Sequence, residues 1–250
     1  MPSTRLTELG SDPASLAAMW SALAPEPGGR TPTIRAVMIA SLDGSTTVDG
    51  RSGGLGTPTD QFLFHAMRAR ADLVIVGAAT AITEGYGPAQ PHEAWRAYRR
   101  TPPPPVVLLA RTLSDQLVEH CTGHGDALAV AVTPDVDRDR IAEAERRGVR
   151  VHVLDPGPYG AAVRALATRL GAEEVDFEGG PRLLARLLAE DAVDELVLSL
   201  APEVIVGAHG DPLVRSEGGA SARVPLRVSD AFTGSDGGLY TRWVVDRDGR

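Results

Sequence analysis

Ala71-Asp72-Leu73-Val74-Ile75-Val76-Gly77-Ala78-Ala79-Thr80 is an apolar run with no polar face that stops at a glycine followed by small residues. Such a run predicts a strand buried on both faces, ending in a binding turn. Far downstream, Val175-Asp176-Phe177-Glu178-Gly179-Gly180-Pro181 has the same design, a strand running into a glycine pair and then an apolar-periodic helix from Pro181 to Glu190. In an open α/β sheet, ligands sit outside the carboxyl ends of the strands, where turns without side chains let backbone N–H groups close on phosphate oxygens. The two corners together predict one site for a phosphate-bearing cofactor.

Around them, strand and helix alternate. Ile34 to Ala40 reads as a first core strand, followed by the turn Ser41-Leu42-Asp43-Gly44 and a glycine-rich loop to Gly56. Thr57 is a helix cap for a segment reaching about Arg70, with Asp60 as its acidic partner at the third helical position. Val106 to Ala110, Ala127 to Val132 and Val149 to Leu154 are further strands, with a charged outer helix at Asp137 to Arg147 and another helix at Tyr159 to Leu170. This alternation predicts a parallel sheet covered on both faces. Asp194 to Leu200 reads as a strand, Glu203 to Val206 as another short apolar run, and Val224 to Phe232 with Leu239 to Val245 as an antiparallel hairpin. Residues 1–33, with a helix starting at Asp12-Pro13 and a linker from Pro25 to Pro32, read as an appendage, and residues 34–250 as the main domain.

A chain of 250 residues, 43% of them hydrophobic, is enough for one sizeable core. The net charge of −8 argues against nucleic acid as a partner and leaves room for a local basic pocket. Cys121 is the single cysteine, which excludes an internal disulfide and a thiolate cluster; His120 and His124 beside it read as a surface loop, and no metal site is expected. With no signal segment and no apolar run of spanning length, a soluble cytoplasmic protein is expected, without a membrane partner.

Taken in order, Ala40-Ser41-Leu42-Asp43-Gly44, Leu63-Phe64-His65-Ala66-Met67-Arg68-Ala69, Leu73 to Thr80, Glu178-Gly179-Gly180-Pro181, and Val193-Asp194-Glu195-Leu196 leading to Leu200-Ala201-Pro202 and Gly207 resemble the pyrimidine reductases of riboflavin biosynthesis. The resemblance implies a dihydrofolate-reductase-like three-layer α/β fold, with a mostly parallel central sheet and antiparallel C-terminal strands. It also implies NADPH-dependent reduction of the ribosyl group of a phosphorylated aminopyrimidine, 5-amino-6-(5-phosphoribosylamino)uracil or a relative, in a homodimer.

Carried over residue by residue, the resemblance assigns the cofactor to Ala40, Gly77, Ala78, Thr80, Glu84, Arg111, Thr112, Gly179, Gly180, Pro181 and Arg182. Arg111 would meet the extra phosphate of NADPH. Ser52, Arg68 and Glu178 would hold the substrate, Arg68 at its phosphate, and Asp43, then Glu178, are the candidate acids. Val37 stands where many bacterial members carry a lysine, so no catalytic amine carries over; Gly54 and Glu84 also depart from the family pattern. Asp43 equally suits a turn, Arg68 a helix cap and Arg111 a solvated charge. Two further functions stay open: reduction of a folate-like pteridine or other small carbonyl or imine compound, and a non-catalytic nucleotide-binding module.

Overall fold

The apolar run at Leu73–Gly77 is a strand with both faces covered, and Leu73, Val74, Ile75 and Val76 are each 0% exposed. The computed structural model describes residues 7–10, 13–99, 101–207, 210–216 and 222–247. In chain order the elements are β1 (Thr7–Leu9), α1 (Pro13–Ala22), β2 (Thr33–Ser41), α2 (Pro58–Arg70), β3 (Leu73–Gly77), α3 (Ala78–Glu84), β4 (Val106–Ala110), α4 (Asp115–Cys121) and β5 (Gly125–Val132). They continue with α5 (Arg138–Arg146), β6 (Val149–Val153), α6 (Tyr159–Arg169), β7 (Glu174–Phe177), α7 (Pro181–Ala189), β8 (Glu195–Ala201), β9 (Leu226–Gly234) and β10 (Leu239–Val245).

Among the described residues the strands join one ten-stranded sheet in the order β1-β9-β10-β8-β2-β7-β3-β4-β5-β6. The pairs from β8 through β2, β7, β3, β4 and β5 to β6 are parallel, and β10 runs antiparallel to both β8 and β9. Side chains alternate across the pleat: Leu73 and Ile75 enter a core with α6 and α7, whereas Val74 and Val76 enter one with α3, α4 and α5. This is the three-layer, mostly parallel sheet with antiparallel C-terminal strands that the sequence implied. Among the described residues, no helix is long and apolar enough to cross a membrane.

Helix α2 covers the second face beside β2 and β7, burying Leu63, Ala66 and Met67 with Trp95 and Tyr240. Its start is fixed as the sequence implies: the Thr57 hydroxyl accepts the Asp60 N–H at 3.1 Å. The same hydroxyl shares a 2.6 Å hydrogen bond with Tyr240 on β10, tying helix start to sheet. Thr57→Ala is therefore expected to cost about 1–2 kcal/mol in urea unfolding, through the lost cap and a phenol left with one partner fewer.

The N-terminal segment is built into this sheet and core. β1 pairs in parallel with β9, and Met19 and Leu23 of α1 and its exit pack against Leu63 and Met67. Asp12, expected at the start of α1, lies outside the described residues.

The short apolar run Glu203 to Val206 belongs to no strand, with Val204 and Val206 exposed. Both neighbours of β8 are already taken by β2 and β10, so this segment turns its polar groups to the β2 exit loop. The Leu42 N–H donates to the Glu203 carbonyl and the Ile205 N–H to Asp43.

Candidate functional site

Parallel neighbours β3 and β7 end side by side, so the two glycine corners meet. The Gly77 N–H donates to the Gly179 carbonyl at 3.2 Å. Gly179 and Gly180 have φ of +114° and +102°, a region that side-chain-bearing residues rarely adopt. A Cβ on Gly180 would lie 3.2 Å from Thr80 Oγ1 and one on Gly77 3.6 Å from the Gly179 carbonyl, so bare backbone lines the join. Gly77 caps α3 and Gly180 caps α7, neither with a side-chain acceptor. First-turn N–H groups without side-chain caps form a ready cradle for phosphate oxygens.

A cleft of ≈ 1030 Å³ opens above these corners. Of the residues assigned by resemblance, Ser52, Gly77, Ala78, Thr80, Glu84, Arg111, Thr112, Glu178, Gly179, Gly180, Pro181 and Arg182 line it. Tyr159 and Arg186 stand on the α7 side with Arg111; the Arg186 guanidinium lies 4.2 Å from the Tyr159 ring. Bare corners, uncapped helix starts and arginines fit a dinucleotide carrying several phosphates.

The α2 side differs in chemistry. Glu178 holds Arg68 through two hydrogen bonds of 2.6 Å, its side chain 1% exposed. Burial alone would lower the Arg68 pKa, but the hydrogen bonds and charge of Glu178 outweigh it and raise the guanidinium above its ordinary value. Arg68 also packs over the rings of Phe64, at 4.3 Å, and Tyr86, at 5.3 Å. Tyr86 is bonded to Glu178, and burial, then the Glu178 charge, pushes its phenol well above the usual tyrosine range. Glu84, assigned to the cofactor by resemblance, belongs to this side, where its Oε1 accepts the Ser52 N–H at 2.8 Å.

Three assigned residues are not among those that line the cleft. Asp43, a candidate acid, builds the turn after β2 instead: its Oδ1 accepts the Ser41 hydroxyl at 2.7 Å and the Ile205 N–H at 3.0 Å. Those bonds, Ser41 first, lower the pKa of this exposed carboxylate, which suits an acceptor and not a proton donor. Ala40 is buried within β2 opposite Leu200, and Arg68 lies behind Glu178.

In their place the cleft contains Asp60, Gln61, Tyr86, Tyr159, Arg186 and Arg215, none of which stood among the expected site residues. Asp60 is the informative omission. Its backbone N–H fills the cap, as expected, but its carboxyl reaches the cleft and interacts with Ser199 on β8. Burial raises its pKa, a Ser199 hydrogen bond partly opposes the rise, and the Asp236 charge adds to it. A carboxyl beside a cleft whose pKa burial raises is a candidate proton donor.

The family model for the RibD C-terminal domain matches residues 32–237. A search of curated proteins gave no match. Among solved structures, a pyrimidine reductase-like protein from Corynebacterium diphtheriae is 28% identical, with a TM-score of 0.73 over 87% of this chain and 93% of that one. Acinetobacter baumannii RibD shares the fold at 19% identity and a TM-score of 0.66, over 86% of this chain and 58% of that longer one. The Saccharomyces cerevisiae riboflavin biosynthesis reductase shares it at 15% identity and a TM-score of 0.59, over 94% and 99%. With the matched span covering most of its length and the fold agreeing along it, this chain belongs to the RibD C-terminal domain family.

Proposed function

We propose that this chain is an NADPH-dependent reductase that converts the ribosyl group of an aminopyrimidine into a ribityl chain. The observation that carries the reading is the junction of the two corners, Gly77 N–H to Gly179 carbonyl at 3.2 Å, under uncapped starts of α3 and α7. Gly77, Ala78, Thr80, Gly179, Gly180, Pro181 and Arg182 would hold the diphosphate, and Arg111 with Thr112 the adenosine end.

NADPH bound there would supply a hydride to an electrophilic carbon. The chain's own part is to orient and protonate. Asp60, at the cleft with its ionisation opposed by burial, would give its proton to the nitrogen of the ring-opened substrate as the adjacent carbon is reduced. Glu178, fixed by Arg68 and Tyr86, would accept hydrogen bonds from substrate hydroxyls. Phe64 and Tyr86 would screen the reacting atoms from water.

The test is NADPH oxidation, followed by the loss of nicotinamide absorbance, with the ribosylaminopyrimidine as substrate and product identified by mass. Turnover of dihydrofolate with none on the pyrimidine would move the substrate to the pteridines, a reading that Val37 in the cleft wall in place of a lysine keeps in the comparison. Arg111→Ala is expected to reduce the preference for NADPH over NADH by about tenfold, near 1.4 kcal/mol, as a charge-assisted contact to the extra phosphate is lost. Titration of both cofactors checks it; an equal loss for both would place Arg111 elsewhere.

A further inference from the structure

Arg111, Arg182, Arg186 and Arg215 line the cleft, and they are held in different ways. Arg182 and Arg215 stand at the start of α7: one follows Pro181, and the N–H of the other donates to the Pro181 carbonyl at 3.1 Å. The Arg215 guanidinium is paired at 2.6 Å with Asp211, which lines the cleft beside it, so the two bring little net charge. Arg186 lies one helical turn, about 5–6 Å, beyond Arg182 along α7.

Two neighbours fix the Arg186 side chain. Its Nε donates to Glu190 Oε1 at 2.9 Å, and its guanidinium lies over the Tyr159 ring, 4.2 Å from the centroid. The other Glu190 oxygen accepts the Gly160 N–H at 2.6 Å, so the first turn of α6 offsets part of that negative charge. With the Nε edge and one face engaged, the two Nη groups are left for a forked contact with an anion, the geometry in which arginine binds phosphate best. Tyr159 also relates Arg186 to Arg111. Burial pushes its phenol up to about 12, and the charges of Arg186 and then Arg111 both oppose the rise. Guanidinium groups from α7 and from the end of β4 thus converge on one ring, and an anion between them would offset their mutual repulsion.

We propose that Arg186 is a second determinant of cofactor choice, closing with Arg111 on the extra phosphate of NADPH, and that Glu190 and Tyr159 are its positioning residues. This rests on the reductase reading and deepens its cofactor site, to which the family resemblance brings only Arg111 and Thr112 at the adenosine end. A side chain already held in its binding geometry loses less conformational freedom on contact than a mobile one, which is where the two supports act.

The experiment is a fluorescence titration of the full chain with NADPH and with NADH. Arg186 is half-exposed on α7, so its replacement leaves the core intact. Arg186→Gln is expected to reduce the preference for NADPH by about fivefold while NADH affinity stays within about twofold, which a merely structural role would not produce. Combined with Arg111→Ala, it should lower the preference below that of either single variant. Arg186→Lys keeps the charge but has no Nε for Glu190 and no plane for Tyr159, and is expected to recover less than half of the lost preference. A preference that Arg186→Gln leaves unmoved, an equal loss for both dinucleotides, or a double variant no different from Arg111→Ala overturns the inference and leaves the reductase reading standing. Full recovery by Arg186→Lys overturns the positioning by Glu190 and Tyr159. Wild-type protein that binds neither dinucleotide overturns the reductase reading, and this inference with it.

Discussion

Gly180→Ala is expected to weaken NADPH binding by about 100-fold, near 2.7 kcal/mol, in a fluorescence titration of the folded protein. Gly180 caps α7 at φ +102° and ψ 108°, a conformation that costs a side-chain-bearing residue about 1–3 kcal/mol. Its new methyl would also sit 3.2 Å from Thr80 Oγ1, so Thr80, in the first turn of α3, must give by a few tenths of an ångström. Backbone donors act on a diphosphate together, and a shift of the pair misaligns all of them at once. Gly171→Ala is the control: φ is +75° there and an added Cβ meets nothing within 4 Å. It should lose about 1 kcal/mol of stability and no affinity. If Gly180→Ala behaves like Gly171→Ala in both measurements, the corner is an ordinary turn and the cofactor site lies elsewhere.

The corners were readable in the sequence because they rest on local rules. An apolar run with no polar face demands burial on both sides, and a glycine after it frees the backbone; Leu73–Gly77 and Gly179-Gly180 obey both. The Thr57 cap was equally local. What depends on distant partners was not readable. Glu174, Asp176 and Glu178 alternate along β7 and its exit as a solvated face would, yet they meet Arg70, Arg35 and Arg68 beneath α2. Burial and the Glu178 charge push the Asp176 carboxyl well above the usual carboxylate range, an environment no spacing rule predicts. Short α4 has seven residues, too few for a clear period, and escaped notice. Asp43 was misplaced because an aspartate before a glycine looks the same whether it faces a ligand or ties a turn; only its bond to Ile205, far along the chain, separates the two.

Asp60→Asn is expected to lower kcat by about 100- to 1000-fold while leaving NADPH affinity within about twofold, since general acids contribute on that scale and Asp60 lies on the side of the cleft away from the α7 arginines. The pH profile carries the sharper test. A proton donor works below its pKa, so wild-type kcat should hold at low pH and fall as Asp60 ionises. Because burial, then Asp236, raise that pKa despite the Ser199 hydrogen bond, the fall should come above the ordinary aspartate range. In the Asn variant this limb should vanish, leaving a low and pH-independent rate. Stability separates the chemistry from mere damage. A carboxyl whose folded pKa exceeds its unfolded value favours folding at low pH, and that contribution is lost as pH rises through the folded pKa. Asparagine has no such loss, so the variant should unfold in urea no earlier than wild type at neutral pH, apart from a few tenths of a kcal/mol for the missing charge in the first turn of α2. A variant that keeps the wild-type limb would transfer the proton-donor role to another group, and one that also loses its fold would mark Asp60 as a structural residue of the helix start.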